Sequence, residues 1–513
     1  MTRTNGHSIL FAAAEVSPIV SVGGLAEVVR FLPRALREAG YDVRVAIPDY
    51  QPLLNKVHRL SVGNELLVEV GKQSFRATLS EATIDDGTPV YLVGGSPGFE
   101  NVSNVKKDVY SQPTVQDYCF FGKAILEFVR RGLHEPFWAP DVLHLHDFHA
   151  GFAGIYLKTT DAMLEKSDLR AVFTVHNLGF PGSFDRGSLP ELGLPNSLDT
   201  TTGMEFYGKL SPLKGSLLLS DIITAVSPTY AFEILSKAYG ERLDGVLNSI
   251  YRQGRLRGIL NGIDRDGLRE EAERGDPSFT LEPDFEAFCE RKSQLKATLC
   301  RKYGLLYARE RPVLVIMGRW GWQKGWPIFT ELLLNGYLAD FNVIIETWAS
   351  AGQDSILMDQ LRQYAMRNPQ TVVVVEGEPR SLLRLAGPDF VLLPSVYEPC
   401  GLIQMEAMCF ATIPVVRKTG GLADTVFDGE NGFVFDVPLG VNDLENGTQA
   451  FFNAVRELGS TLRKALLVYR NPERLVAYRK ACFESDNSWQ RRVPSYARLY
   501  DDVLRMPPVT FGG

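Results

Sequence analysis

The chain has no excess of positive charge. Its net charge is −7 and its isoelectric point lies near 5.7, whereas a nucleic-acid binder needs a basic field along one face. A few local cations would still suffice for a phosphate site. Cysteine is sparse, and the six residues at 119, 289, 300, 400, 409 and 482 show no CxxC spacing. That predicts reduced thiols in a cytosol-like compartment and no zinc site. No apolar run approaches a membrane span. The stretch Ile9 to Ala14 ends at Glu15 and reads as a first β-strand rather than a signal peptide. A cytoplasmic location is expected, or a plastid stroma if a transit segment has been removed. The 513 residues, 45% hydrophobic and 22% charged, predict a soluble globular chain of two large domains.

Strand and helix periods alternate along the first half. After the strand at 8–14, Gly23-Gly24 opens a helix with apolar Leu25, Val28, Val29, Leu32 and Leu36, and Gly40 precedes a second strand through Ile47. This βαβ unit predicts a parallel, doubly wound sheet. Its Gly-Gly turn lacks the GxGxxG spacing of a dinucleotide site. Residues 60–95 alternate as an antiparallel extension, 94–113 read as a long surface loop, and 115–131 as a helix. The strand Val142–Leu145 runs into His146-Asp147-Phe148-His149, and the strand Ala171–Val175 runs into His176-Asn177. Polar residues at two strand ends mark the edge where such sheets bind ligands. His144, His146 and His149 also have a spacing that suits a metal, although orienting Asp147 is the expected use of His146 and His149. Residues 265–292 are charged, with little apolar period, and read as a linker.

A second series of strands begins at Pro312–Arg319, with Lys324-Gly325 on the turn that follows. It leads to Tyr397-Glu398-Pro399-Cys400-Gly401-Leu402 and on to Glu406, after the buried-looking strand Asp389–Ser395. A strand, a carboxylate-bearing loop and a helix N-terminus form a phosphate-binding arrangement. The eight-residue spacing predicts Glu398 at the ligand and Glu406 about two turns deeper on one face. Thr419-Gly420-Gly421-Leu422-Ala423 echoes Gly23-Gly24-Leu25-Ala26, as if each half carried an equivalent glycine loop.

Taken in order, SVGGLAEVV, HLHDFHAG, TVHNLGFPG, FYGKLSPLKG, GILNGID, GRWGWQKG, YEPCGLIQMEAM and RKTGGLADTV resemble bacterial glycogen synthases and plant starch synthases. The likeness runs from Ile9 to about Leu504. It implies an α/β protein of the GT-B fold, two Rossmann-like domains with parallel doubly wound sheets facing a cleft. The expected boundaries are 1–264 for the acceptor-side domain, 265–480 for the donor domain and 481–513 for a helix crossing back. The implied reaction is retaining transfer of glucose from ADP-glucose or UDP-glucose to the non-reducing end of an α-1,4-glucan. No metal, cofactor, nucleic acid or membrane takes part. By the same resemblance Arg319 and Lys324 face the leaving diphosphate and Glu398 the glucose. His176 and Asp147 serve the glucose and acceptor side. Gly23, Gly24, Asn261, Cys400, Gly401, Leu402, Glu406, Thr419, Gly420 and Gly421 are the implied substrate-binding positions.

The sequence departs from the family at specific places. Ser21 stands where the family has lysine, Glu27 where it has aspartate, and Phe148 where it has tryptophan. Losing the lysine removes one oriented cation, with an expected weakening of roughly 2–4 kcal/mol; Lys418 on the echoed loop is a candidate substitute. Glu376-Gly377-Glu378 has no aromatic residue to stack on a base, and Glu346 to Gly352 form a bulkier loop than the family's. These departures keep two alternatives open: a weakly catalytic paralogue that binds or primes glucan, or a GT-B enzyme using another sugar nucleotide.

Overall fold

The structure is a computed structural model that describes residues 6–50, 59–104, 108–131, 138–161, 168–275, 285–348, 356–377 and 381–511. It divides into two compact units, Met1–Gly262 with Trp489–Gly513, and Ile263–Ser488.

The first unit is built on a nine-stranded sheet. In chain order its strands are β1 (Ser8–Ala12), β2 (Asp42–Pro48), β3 (Arg59–Val70), β4 (Gln73–Thr83), β5 (Pro89–Gly94), β6 (Val142–His146) and β7 (Arg170–Val175). A small hairpin of β8 (Glu205–Phe206) and β9 (Lys209–Leu210) follows, and β10 (Ile222–Ala225) and β11 (Leu256–Gly258) complete the sheet. The spatial order is β11-β10-β7-β6-β1-β2-β5-β4-β3. β11 through β5 are parallel, while β4 and β3 add the antiparallel extension expected from their alternation. β1 is apolar on both faces and all but its first residue is buried, as a central parallel strand requires. The chain winds outward from β1 through β2 and β5, and then from β6 through β7, so the switch point lies between β1 and β6. The helix Gly24–Glu38 buries Leu25, Val28, Val29, Leu32 and Leu36, the stripe its sequence predicts.

The second unit holds a six-stranded, all-parallel sheet in the order β14-β13-β12-β15-β16-β17. These strands are β12 (Val313–Arg319), β13 (Asn342–Trp348), β14 (Val372–Glu376), β15 (Phe390–Leu393), β16 (Ile413–Arg417) and β17 (Phe433–Phe435). This is the 3-2-1-4-5-6 order of a Rossmann sheet, with its switch point between β12 and β15.

Three expectations change. Residues 265–292 include parts of two helices, Arg265–Gly275 and Phe285–Tyr303, rather than a linker. The second helix buries Phe288, Lys292, Leu295, Lys296 and Leu299 on one stripe, and the two lysines disguised its apolar period. Lys292 is sealed in the core by hydrogen bonds to Ala386 O, Phe410 O and Thr412 Oγ1, at 2.9, 2.8 and 2.7 Å. Nor is the described part of 94–113 all surface: Phe99, Val102 and Val109 are buried. Finally, the chain returns to the first unit at Trp489 rather than at 481. The helix Pro472–Glu484 stays with the second sheet, where Tyr478 stacks on Phe433 at 4.9 Å and Cys482 Sγ donates to Asn431 O. The last helix spans Val493–Arg505 and buries Tyr496, Leu499, Tyr500 and Val503.

Candidate functional site

In the second unit, the β12 and β15 tips meet at the switch point. Gly318 and Gly321, with φ of 156° and 154°, and Gly325, with φ of 72°, let the chain turn sharply after β12. A Cβ at Gly325 would lie 2.1 Å from Pro394 O, so only glycine allows the two tips to close. Val396 N donates to Gln323 O at 2.8 Å, and Gln323 Nε2 donates to Tyr397 O at 3.2 Å. This lacing places Lys324 Nζ 2.5 Å from Glu398 Oε2, which also accepts from Ser395 Oγ at 3.0 Å. Glu398 is buried, and Lys324 is half-buried. At the end of β12, five residues before Lys324, the Arg319 guanidinium is exposed and pairs with nothing among the described residues. Its backbone is held through Trp326 Nε1, which donates to Arg319 O at 2.9 Å. One carboxylate, one ammonium and one uncommitted guanidinium thus share a loop pair where open α/β sheets bind ligands.

The glycine loop at Gly420-Gly421 packs under this site. Cβ atoms there would lie 1.9 Å from Glu398 O and 2.1 Å from Cys400 O, and Gly421 N donates to Glu398 O. Gly23 has no such neighbour: an added Cβ meets nothing nearer than Glu15 Oε1 at 3.8 Å. The echoed motifs therefore differ in role, the later one supporting the Glu398 loop and the earlier one lying open. Lys418 is exposed and paired with Asp436 at 3.0 Å.

The helix after Glu398 is also shorter than expected, Ile403–Met408 with Leu402 as its cap and Gly401 at φ 71°. Glu398 precedes it, so Glu398 and Glu406 do not share a two-turn face. Glu406 is buried beside Cys409, whose thiol is pushed up to about 12 by burial and also feels Arg265, Arg269 and Glu406. Gln404 holds the turn through Cys400 O, Gly401 O and Thr425 Oγ1, while buried Thr419 begins the helix that carries Gly420. Farther along the sheet edge, Glu346 is buried in a two-pronged bond from Arg384, and Glu376 is gripped likewise by Arg362. Glu378 and the loop 349–352 lie outside the described residues.

In the first unit the switch point gathers acidic and imidazole groups. Asp147 sits at φ 53°, and its Oδ1 accepts from His176 N at 2.9 Å, tying the β6 tip to the β7 tip. Burial, with Glu15 adding to it, raises the Asp147 carboxyl to about 7 against the bonds from the His176 and Asn177 amides. Glu15 was read only as the end of an apolar run, yet it is a buried hub. Its Oε2 accepts from Val22 N at 2.6 Å and Gly23 N at 3.3 Å, and its Oε1 accepts from Tyr110 Oη at 2.8 Å. Desolvation raises its pKa. Ser21 and Gly24 are exposed on the loop it anchors.

His146 and His149 do not orient Asp147, as had been expected. His146 Nδ1 pairs with His176 Nε2 at 2.9 Å, and His149 stacks on Phe148 with ring centroids 3.9 Å apart. His146 in turn stacks on His144 at 4.4 Å, and His144 is pinned by Tyr500 Oη at 2.9 Å and Thr174 Oγ1 at 2.6 Å. The returning helix thereby braces the β6 tip, a link no local pattern reveals because 356 residues separate its ends. Burial lowers all four imidazoles, to about 3 for His144, His149 and His176, so all are neutral at pH 7. Asn261 is buried just past β11, with its Oδ1 unpartnered. That is an acceptor awaiting a donor. Among the described residues no group of three or more His, Cys, Asp or Glu side chains is placed to hold a metal ion, and no helix is long and apolar enough to cross a membrane.

Residues 8–249 match the family model described as starch synthase catalytic domain, and 360–455 match glycosyl transferases group 1. A glycogen synthase of Geobacillus thermodenitrificans is 34% identical over 97% of this chain and 98% of its own length. One from Pseudomonas syringae pv. tomato is 31% identical over 98% of both. The chain belongs to the glycogen synthase family. As a member of the glycogen synthase family it is a glycosyltransferase. The fold agrees: the catalytic domain of Starch Synthase IV from Arabidopsis thaliana, solved with ADP and acarbose, superposes with a TM-score of 0.82. That match is 24% identical and covers 98% of this chain and 100% of that one. Both sheets are those of the expected GT-B architecture.

Proposed function

We propose that the chain transfers glucose, with retention, from ADP-glucose to the non-reducing end of an α-1,4-glucan. The observation that carries this reading is the Lys324–Glu398 pair at the β12/β15 switch point, with exposed Arg319, unpaired among the described residues, on the same turn. In the reaction the bond between glucosyl C1 and the diphosphate oxygen breaks, and C1 bonds to the acceptor's hydroxyl oxygen. The hydroxyl proton leaves with the nucleoside diphosphate. Charge builds on the diphosphate as it departs. Lys324 and Arg319 are the cations to meet it, without a metal, since preorganised charge near a leaving group lowers the barrier. Glu398 holds Lys324 in place before the donor binds and faces the glucosyl ring as it gains positive character. In the first unit, neutral His176, Asp147 and the unpartnered Asn261 Oδ1 offer hydrogen-bonding groups to hexose hydroxyls.

The test is release of nucleoside diphosphate from ADP-glucose and from UDP-glucose, with and without glycogen. The proposal expects glycogen-dependent release that favours ADP-glucose. No release with either donor would reject it. Two observations favour a second reading, a glucan-binding protein of weak activity. Ser21 is exposed on the Gly23 loop where the family places lysine, and Arg362 engages Glu376 where the family stacks an aromatic ring. Retention of glycogen without turnover would establish that alternative.

A further inference from the structure

β6 and β7 run parallel with His146 opposite Thr174, so His176, two residues past Thr174, emerges on the same side at the neighbouring strand tip. The two rings meet nitrogen to nitrogen, with His146 Nδ1 2.9 Å from His176 Nε2. The rest of His146 is closed off. It is fully buried and packs on the rings of Phe11 and His144 at 5.2 and 4.4 Å. Its Nε2 is buried and has no hydrogen-bond partner among the described residues. His144 does not serve that nitrogen, because its own two face Tyr500 Oη and Thr174 Oγ1. His176 is half-buried, and its amide is held by Asp147 Oδ1. With Nε2 taken by His146, Nδ1 is the ring nitrogen left to meet a ligand.

A neutral imidazole carries one ring proton, so one member of such a pair donates and the other accepts. Burial keeps both rings neutral at pH 7. If His176 donated from Nε2, the proton of His146 would sit on its own Nε2, an N–H sealed in the core without an acceptor. If His146 donates from Nδ1, its Nε2 is left as a bare electron pair. An orphaned buried N–H is the rarer of these two defects. The second arrangement avoids it and sends the proton of His176 to Nδ1, since the bond made by one ring nitrogen decides the state of the other. We propose that His146 is a positioning residue, which fixes His176 in the Nδ1–H form and so presents a hydrogen-bond donor to the substrate. This deepens the reading above, on which it rests for His176 meeting a hexose, by naming the sense of that contact: a hydroxyl oxygen accepts from Nδ1. The unpartnered Asn261 Oδ1 has the opposite sense, accepting a hydroxyl proton. The first unit then offers a sugar one donor and one acceptor of fixed polarity.

The experiment is proton–nitrogen correlation NMR of the full chain carrying isotope-labelled histidine, at pH 7 with no substrate present. The spectrum separates protonated from bare ring nitrogens, and His176 is assigned by the signals that a His176→Gln variant lacks. The wild type is expected to carry its His176 proton on Nδ1. That form persists in His146→Asn, whose amide N–H stands where the ring Nδ1–H stood, and gives way to a mixture in His146→Leu, which has no donor. Glucose transfer follows the tautomer. Its kcat/KM falls at least about tenfold in His146→Leu and stays within about threefold of the wild type in His146→Asn, as for other partners that fix an imidazole's tautomer. A wild-type His176 protonated on Nε2 would overturn the proposal whether or not either variant folds. An Nδ1–H form unchanged in His146→Leu would overturn it too, as would equal kcat/KM in the two variants. The spectra need neither sugar nucleotide nor glucan. A wild type that shows the Nδ1–H form yet releases no nucleoside diphosphate would therefore reject the transfer reaction and leave the hold of His146 on His176 standing.

Discussion

Lys324 and Glu398 satisfy each other, and a diphosphate bound as proposed would compete for that ammonium. Replacing Lys324 with Met removes the cation and leaves Glu398 with Ser395 as its one side-chain partner among the described residues. Loss of one preorganised donor costs about 10²–10³ in turnover. Ser21 is the converse case: it is exposed, so Ser21→Lys meets no steric obstacle, and the account expects at least about a tenfold gain in kcat/KM, a modest part of what one oriented donor supplies. An unchanged or lower value in steady-state assays would show that the missing cation is not limiting. Asp147 titrates near 7 because burial outweighs its two amide bonds. A limb near neutral pH in the kcat/KM profile is therefore expected, and Asp147→Asn should abolish it; a limb that persists belongs to another group. Glu398, Lys324, Arg319 and His176 were legible as residues because each lies at the end of a recognisable strand or on the turn that follows it. Glu15 was not. A lone carboxylate after an apolar run looks like a surface residue, and only the folded loop shows the two amides and the tyrosine that it holds.

Among the elements, the helix Phe285–Tyr303 and the returning helix Val493–Arg505 show where pattern reading stops. Lys292 occupies a core position of the first, so the apolar stripe was broken in sequence but intact in space. Lys292→Met leaves Ala386 O, Phe410 O and Thr412 Oγ1 without their donor. With about 1–3 kcal/mol for each buried polar group left unpaired, urea denaturation should show a lower midpoint. A midpoint equal to the wild type would mean that the ammonium's own desolvation had cancelled those bonds. The returning helix acts through Tyr500, the only tether of His144 Nδ1 among the described residues. Tyr500→Phe is expected to cost about 1–3 kcal/mol. It should also raise KM more than a surface substitution on the same helix, because His144 stacks on His146 and His146 bonds His176. Equal stability and equal KM would disconnect the helix from the site.

For the molecule as a whole, the buried imidazoles set the response to acid. His144 and His149 are held at about 3, and His146 well below 6.5, by burial. The unfolded chain binds the protons these rings refuse, so their contribution to stability is full above about pH 6.5 and is lost as pH falls toward 3. Each ring can contribute up to about 1.4 kcal/mol per pH unit across that window. Asp147 and Glu15, with raised values, act in the opposite sense: their contribution is full below the ordinary carboxylate range and lost as pH rises through their folded values. Imidazoles outnumber these carboxyls, so unfolding midpoints in urea should fall between pH 7 and pH 5; a midpoint that rose instead would contradict the neutral histidine stack. The two-sheet architecture was readable from alternating strand and helix periods and from the order of motifs. The Rossmann strand order, and with it the placing of Glu398 against Lys324, depends on pairings between distant segments that no local period encodes.

In the proposed reaction, cations on the β12–β15 loops neutralise the departing diphosphate. Single-turnover glucose transfer from ADP-glucose to glycogen, compared between the wild type and a folded Lys324→Met variant, tests it most directly. The expected rate is at least about a hundredfold lower in the variant, as for any lost preorganised donor. A variant transferring glucose at the wild-type rate would contradict it.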